Sequence, residues 1–463
     1  MSIHRRSLSL GSFMLLGACF SPGAQLTGTA SDTDATASTT TTATMSSTSE
    51  PTTSDPTSGT SAQTTSTTDP TGGACESCES VTPYCIEGEC VECIMSSDCF
   101  DPGAICDPDS HTCIADESPC QHHIDCASEA CEIDTSVCFP PAARHYFVDA
   151  GVPCGSTECT DADPCCQLGA AMTAIAADGD THHIVHVAEG TYNEGFGLTT
   201  DGVRVAVLAA NGTLVKSAGG NQIIMAGVMT PNPLDTKLYL KNLTISGIGS
   251  TGVVCQSVSF LGLDDITVRD LEGNGLLAVG CTVWSRRSQF LRNFGGLSMS
   301  ASTVRLENSI VSGSTTTPAL TVAFQSALEI LYSTIGQQAG VPTTLLKCDG
   351  DPGTVTIRNS ALLHDTIPSP VDCLATITTA NSVVSSAALD IGPPAGNKVL
   401  GADQVSPTFV DWAGSDLHVV DNATVLKDVA IWKTGDPLTD IDGEVRPNVD
   451  QALDVAGADV PGG

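Results

Sequence analysis

Asn242-Leu243-Thr244-Ile245, Asp265-Ile266-Thr267-Val268, Ser288-Gln289-Phe290-Leu291, Asn308-Ser309-Ile310-Val311, Tyr332-Ser333-Thr334-Ile335, Asn359-Ser360-Ala361-Leu362 and Asn381-Ser382-Val383-Val384 stack like rungs. Their first residues are 23, 23, 20, 24, 27 and 22 positions apart. The fourth place is always aliphatic: Ile245, Val268, Leu291, Val311, Ile335, Leu362, Val384. A loose period in the twenties with one fixed apolar place marks a solenoid, in which each repeat buries its apolar side against its neighbours. The period fits one coil of short strands per repeat, a parallel β-helix. Upstream, Gly202-Val203-Arg204-Val205-Ala206-Val207-Leu208 and Asn221-Gln222-Ile223-Ile224-Met225 supply further coils.

The bulk numbers agree. A chain of 463 residues exceeds one simple core, so several regions are expected. Aromatics are 4%, so the core must be built from Val, Ile, Leu and Ala. With 18 Lys+Arg against 53 Asp+Glu, the net charge of −35 repels nucleic-acid phosphates. It suits a solvated surface and permits calcium.

The N-terminus reads as an export signal. His4-Arg5-Arg6 precedes a short apolar run, residues 8–16, too short for a permanent span. Leu16-Gly17-Ala18-Cys19 resembles the lipobox of bacterial lipoproteins. That resemblance implies a signal peptide at residues 1–18 and acylation of Cys19, which makes membrane lipid a partner. Phe20, in place of Asp, implies the outer membrane rather than retention at the inner one. An ordinary signal cut near Ala18 or Ala24 is the alternative. Residues 19–73 then form a tether. From residue 28 onward it is almost wholly Ser, Thr, Ala, Asp, Pro and Gly, which cannot bury enough apolar surface to fold.

Of 21 cysteines, Cys19 leaves an even 20. Residues 74–140 hold twelve of them in three sets of four, too dense for an ordinary core. Cys93, Cys99, Cys106, Cys113 and Cys120, Cys126, Cys131, Cys138 share a spacing, and Cys75, Cys78, Cys85, Cys90 is a variant. In an exported chain these read as disulfide modules. They resemble small extracellular Cys-rich modules, including the Dickkopf N-terminal and disintegrin-like types. Zinc is the rival reading, on Cys75-x2-Cys78 and Cys90-x2-Cys93.

Residues 145–459 open on Tyr146-Phe147-Val148-Asp149-Ala150-Gly151. Then come a helical spacing of Leu168, Ala171, Met172 and Ile175, and His183-Ile184-Val185-His186-Val187-Ala188 leading to Glu189-Gly190-Thr191-Tyr192. This order resembles the start of the pectin-lyase-like right-handed parallel β-helix family, where a helix caps the open end. Ser406-Pro407-Thr408-Phe409, Asp440-Ile441-Asp442-Gly443-Glu444-Val445-Arg446 and Asp454-Val455-Ala456-Gly457-Ala458-Asp459 resemble the closing segment of bacterial β-helix surface proteins of the myxobacterial type. Cys255 and Cys281 are 26 apart and Cys348 and Cys373 are 25 apart, about one coil, so each pair is expected to bridge adjacent coils. Cys154, Cys159, Cys165 and Cys166 are expected to pair among themselves.

The residues before the rungs run Lys241, Asp264, Arg287, Glu307, Leu331, Arg358, Ala380, a ladder of alternating charge over its first four members. Relatives of this fold include polysaccharide lyases and glycoside hydrolases. The lyase type implies calcium on carboxylates and a basic residue that takes a proton beside a uronate. The catalytic candidates that fit are Asp264, Asp265, Arg269 and Arg292, with Arg269 and Arg292 expected to stack one coil apart. The polygalacturonase type needs a His-Gly and a basic motif that do not follow Asp264-Asp265. His182 and His186 share one strand face and His183 the other; a polar face is read there rather than metal. No metal or other cofactor is assigned. The reading is a lipid-anchored bacterial surface β-helix that binds glycan or a surface partner without catalysis. Polysaccharide lyase, glycosidase and structural spacer are the alternatives.

Overall fold

A computed structural model describes residues 120, 122–216, 222–227, 234–248, 251–337, 344–351, 353–365, 371–373, 376–385 and 396–461. It also describes the short strands Tyr84–Ile86, Glu89–Val91, Ala104–Cys106 and Cys113–Ala115. The chain divides into residues 1–69 and 70–463, and every described residue belongs to the second unit. The leader, Cys19, the tether and Cys75, Cys78, Cys93 and Cys99 lie outside the described residues.

Among the described residues the chain winds into a parallel β-solenoid with three sheets of ten, ten and eight strands. Sheet 1 runs from strand Arg144–Val148 through His182–Val187, Arg204–Ala209 and Leu234–Lys241 to Thr376–Ala380. Sheet 2 contains the rung strands, such as Thr244–Gly247 and Thr267–Leu271. Sheet 3 closes the third side with strands such as Thr251–Gln256 and Asn274–Val279.

The rungs stack with one correction. Ile245, Val268, Phe290, Val311, Ile335, Leu362 and Val384 are consecutive partners and all fully buried. Phe290, not Leu291, fills the third place, because the coil turns at Arg287, one residue before Ser288. A one-residue shift exchanges the two faces of a strand. It sends Leu291 outward, where it is half-buried against the closing segment.

The corner between sheets 1 and 2 explains the Asn bias. Asn242, Asp265, Arg287, Asn308, Tyr332, Asn359 and Asn381 all have φ between 45° and 62°. Asn and Asp tolerate this left-handed region best among residues with a side chain. Inside the same corner a serine column runs up the coil. Ser309 N–H donates to Ser333 Oγ, Ser333 N–H to Ser360 Oγ and Ser360 N–H to Ser382 Oγ, each at 3.1 Å. The serines satisfy backbone groups that the turn leaves out of the sheet ladders.

Helix Leu168–Ala177 caps the first coil with Leu168, Ala171, Met172 and Ile175 buried. The Glu194 carboxylate accepts its first amides, Leu168 N–H at 2.7 Å and Gly169 N–H at 3.1 Å. Disulfides join Cys154 to Cys166 and Cys159 to Cys165 beside it. Cys255–Cys281 and Cys348–Cys373 tie adjacent coils, with Cα atoms 6.4 Å and 4.5 Å apart. The closing segment does more than mark the end. It turns back along the outside of sheet 2, burying Ile310, Leu331, Tyr332, Ala361, Leu363 and Val383 beneath Trp412, Leu417 and Trp432.

Candidate functional site

The outer face of sheet 1 carries the charge ladder. Strand register places Lys241, Asp264, Arg286, Glu307, Leu331, Arg358 and Ala380 in one column. Arg286 thus replaces the expected Arg287, by the same one-residue shift that moved Phe290. Arg287 turns the corner instead and reaches back one coil. Asp264, with a side chain 1% exposed, takes Arg286 Nη2 at 3.1 Å and Arg287 Nη2 at 2.9 Å. Arg287 also grips both oxygens of Asp265, at 2.8 and 2.9 Å. Burial alone would raise the Asp264 carboxyl, but the two guanidiniums outweigh it and hold the group below the usual carboxylate range.

This face is covered by the third Cys-rich module. Its disulfides are Cys120–Cys131 and Cys126–Cys138. Ile133 and Phe139 pack on Ile184, Ala206, Tyr239 and Phe260. Gly262 permits the approach, since a Cβ there would lie 2.8 Å from Ile133 Cδ1. Lys237 clamps the module through Glu132 at 2.8 Å and Asp134 at 2.9 Å, and Tyr239 Oη donates to Asp134 at 2.7 Å. Burial opposes ionisation of Glu132, yet hydrogen bonds from His182 and Lys237 bring its carboxyl down to about 2. In each of the three modules the third and fourth cysteines face each other in an antiparallel pair: Cys85 and Cys90, Cys106 and Cys113, Cys131 and Cys138.

The four catalytic candidates are not gathered into one constellation. Asp264 and Asp265 are held by Arg287 as above. Arg269 pairs in register with Leu291, so it does not stack on Arg292. Arg292 has φ 52° and turns away, binding Asp270 at 2.8 and 3.0 Å and the Gly414 carbonyl at 3.1 Å. The carboxylate oxygens of Asp264 and Asp265 point at guanidiniums, a setting that does not fit a calcium ion, which needs those oxygens as ligands. Asp440, Glu444 and Asp459 come together elsewhere, in the closing segment. There Asp440 accepts the Asp442, Glu444 and Val460 amides, and Asp459 accepts Val419 N–H, so both aspartates already hold the backbone of the closing segment.

Beside the module a groove of about 980 Å³ opens along sheet 1. Its lining includes Phe147, Asp149, Asp161, His186, Asn211, Lys241, Asn242 and Asp265, with Ile124 and Glu129 of the module on its rim. The Phe147 and His186 rings stack at 4.9 Å, and His186 Nε2 lies 2.8 Å from His145 Nδ1. Asn242 Nδ2 donates to Asn211 Oδ1 at 2.6 Å and to the Ala209 carbonyl at 2.9 Å. As expected, His182 and His186 lie on the outer face and His183 is buried on the inner one. The groove thus combines an aromatic platform, planar amides, carboxylates and an ammonium, chemistry suited to a polyhydroxylated ligand.

The groove was not legible in the sequence because His186, Asn211 and Asn242 meet only after coiling. The serine column had a signal, the Ser in second place of the last four rungs. So did Arg446, inside the quoted closing motif. It is fully buried over the Tyr332 ring at 4.3 Å and donates to Asp454 at 3.3 Å and to the Gly457 carbonyl at 2.9 Å.

No protein-family model matches the chain, and no curated protein does. Among solved structures it is similar to ORF18 of Geobacillus virus E2, at 14% identity and a TM-score of 0.31, over 55% of this chain and 58% of that one. It is also similar to pectate lyase Pel9A, at 14% identity and a TM-score of 0.29, over 67% of this chain and 89% of that one.

Proposed function

We propose that this protein is a lipid-anchored bacterial surface β-solenoid that binds glycan in the groove between its third Cys-rich module and sheet 1, without turning the glycan over. The observation that carries the reading is the groove itself, with the Phe147–His186 stack on one side and Asn211, Lys241 and Asn242 on the other. The lipobox at Cys19 and the tether support display at the outer membrane or cell surface. Arg287, beside Asp264 and Asp265, supports binding over lyase chemistry at that place. An arginine base must give up its proton, and although burial disfavours the charged form of Arg287, the Asp264 and Asp265 carboxylates hold it well above its ordinary range.

A glycan array probed with the purified chain and its Lys241→Glu and Asn211→Ala variants tests this. Retention of a glycan by the wild type, weakened about tenfold or more in either variant, is expected. No retained glycan, or retention indifferent to both substitutions, refutes it. Fatty-acid labelling lost on Cys19→Ala is the expected mark of the anchor. The lyase or glycosidase reading keeps one favourable observation: the Arg269 side chain is half-exposed beside a shallow groove shared with Lys216. It requires turnover of an acidic polysaccharide that disappears on Arg269→Ala.

A further inference from the structure

Two histidines of the third module accept through a ring nitrogen, His122 from Arg287 at the corner of sheet 1 and His123 from within the module. His122 Nδ1 lies 2.8 Å from Arg287 Nη1, and a guanidinium only donates, so that nitrogen must carry a lone pair. His123 Nδ1 accepts the Cys131 amide at 3.0 Å from a side chain that is almost wholly buried. Protonating either nitrogen turns an acceptor into a donor aimed at another donor. We propose that the His122–His123 turn is an acid-sensitive seam: acidification lifts it from sheet 1 and widens the groove whose rim it carries.

The surroundings support that direction. Burial lowers the basicity of His122, and Arg287 and Arg286 add to this against the pull of Asp264 and Asp125. Burial brings His123 down to about 4, with Lys241, Arg286 and His122 also opposing its charge and Asp264 favouring it. The other end of the module behaves oppositely. Glu132 holds Lys237 and His182, contacts that acid does not weaken until the carboxylate itself takes a proton. The module therefore pivots about the Glu132–Lys237 clamp rather than leaving. Its disulfides, Cys120–Cys131 and Cys126–Cys138, keep the moving part intact. The seam stands whether or not the groove binds glycan.

Amide hydrogen exchange of the turn around His123 and of Cys131, corrected for intrinsic chemistry, is the test. With His123 near 4 when docked and at its ordinary value when free, the opening equilibrium should rise about 30-fold between about pH 7.5 and about pH 5. In His122→Asn/His123→Asn, whose amide oxygens accept without titrating, the rise should vanish. No pH-dependent rise in the wild type, or the same rise in the variant, overturns the proposal. A histidine NMR titration of the wild type needs no variant: His122 and His123 should both titrate below the ordinary histidine value, and titration at or above it overturns the seam equally.

Discussion

Asp264→Asn separates a structural carboxylate from a catalytic one. Asp264 is 1% exposed and receives two guanidiniums, Arg286 with a side chain 7% exposed and Arg287 with one 14% exposed. The amide keeps the shape but removes the charge, leaving two buried cations with one acceptor oxygen. Breaking a buried pair from one side costs about 3–5 kcal/mol. With a urea slope of about 3 kcal/mol/M, the unfolding midpoint should fall by about 1–1.7 M. The loss should survive about 0.5 M salt, because buried pairs are weakly screened. Asp265→Asn is the control. Its side chain is 34% exposed and shares Arg287, so it should cost less than about 1 kcal/mol. The Asp264 carboxyl is held below its unfolded value, so its contribution is present above that value and lost as pH falls through the folded one. Urea unfolding followed by far-ultraviolet circular dichroism reads all of this. An Asp264→Asn variant within about 1 kcal/mol of wild type would show that the buried carboxylate does not hold the two guanidiniums together.

Other expectations follow from the same geometry. Phe290→Ala should cost about 3–5 kcal/mol and Leu291→Ala clearly less, and the reverse order in urea unfolding would contradict the register. Ser333→Ala removes the acceptor of the Ser309 amide inside the serine column and should cost about 1–3 kcal/mol. Arg446→Ala should loosen the closing segment, seen as faster proteolysis there, because Asp454 loses its buried partner. His418 is raised to about 9 by hydrogen bonding to Asp442 and then, against the opposing burial, by Asp416. Its contribution is full below the ordinary histidine value and lost as pH rises through about 9, so thermal unfolding should weaken over that window and His418→Gln should flatten the loss.

The solenoid was legible because its signal is one-dimensional: an apolar place repeated along the chain needs no tertiary knowledge. The capping helix was legible for the same reason, from Leu168, Ala171, Met172 and Ile175. Register at the third coil was not, since the choice between Phe290 and Leu291 depends on where Arg287 takes its left-handed turn. Both are apolar, so the sequence pattern is satisfied either way. That single shift also moved Arg286 into the ladder and separated Arg269 from Arg292. The site was illegible for a different reason. Docking of the third module on sheet 1 joins Glu132 to Lys237, 105 residues away, through contacts that no local pattern announces. The cluster of charges in the sequence drew attention to Asp264 and Asp265, which the fold uses to neutralise Arg286 and Arg287. The groove beside them is lined by ordinary Asn, Lys and Phe residues.

The most direct test of glycan binding without turnover puts one purified sample through a glycan array and then incubates it with each retained glycan. Retention that Lys241→Glu weakens is expected, with neither new reducing ends nor unsaturated products. Cleavage of the bound glycan, or an array on which nothing is retained, would contradict it.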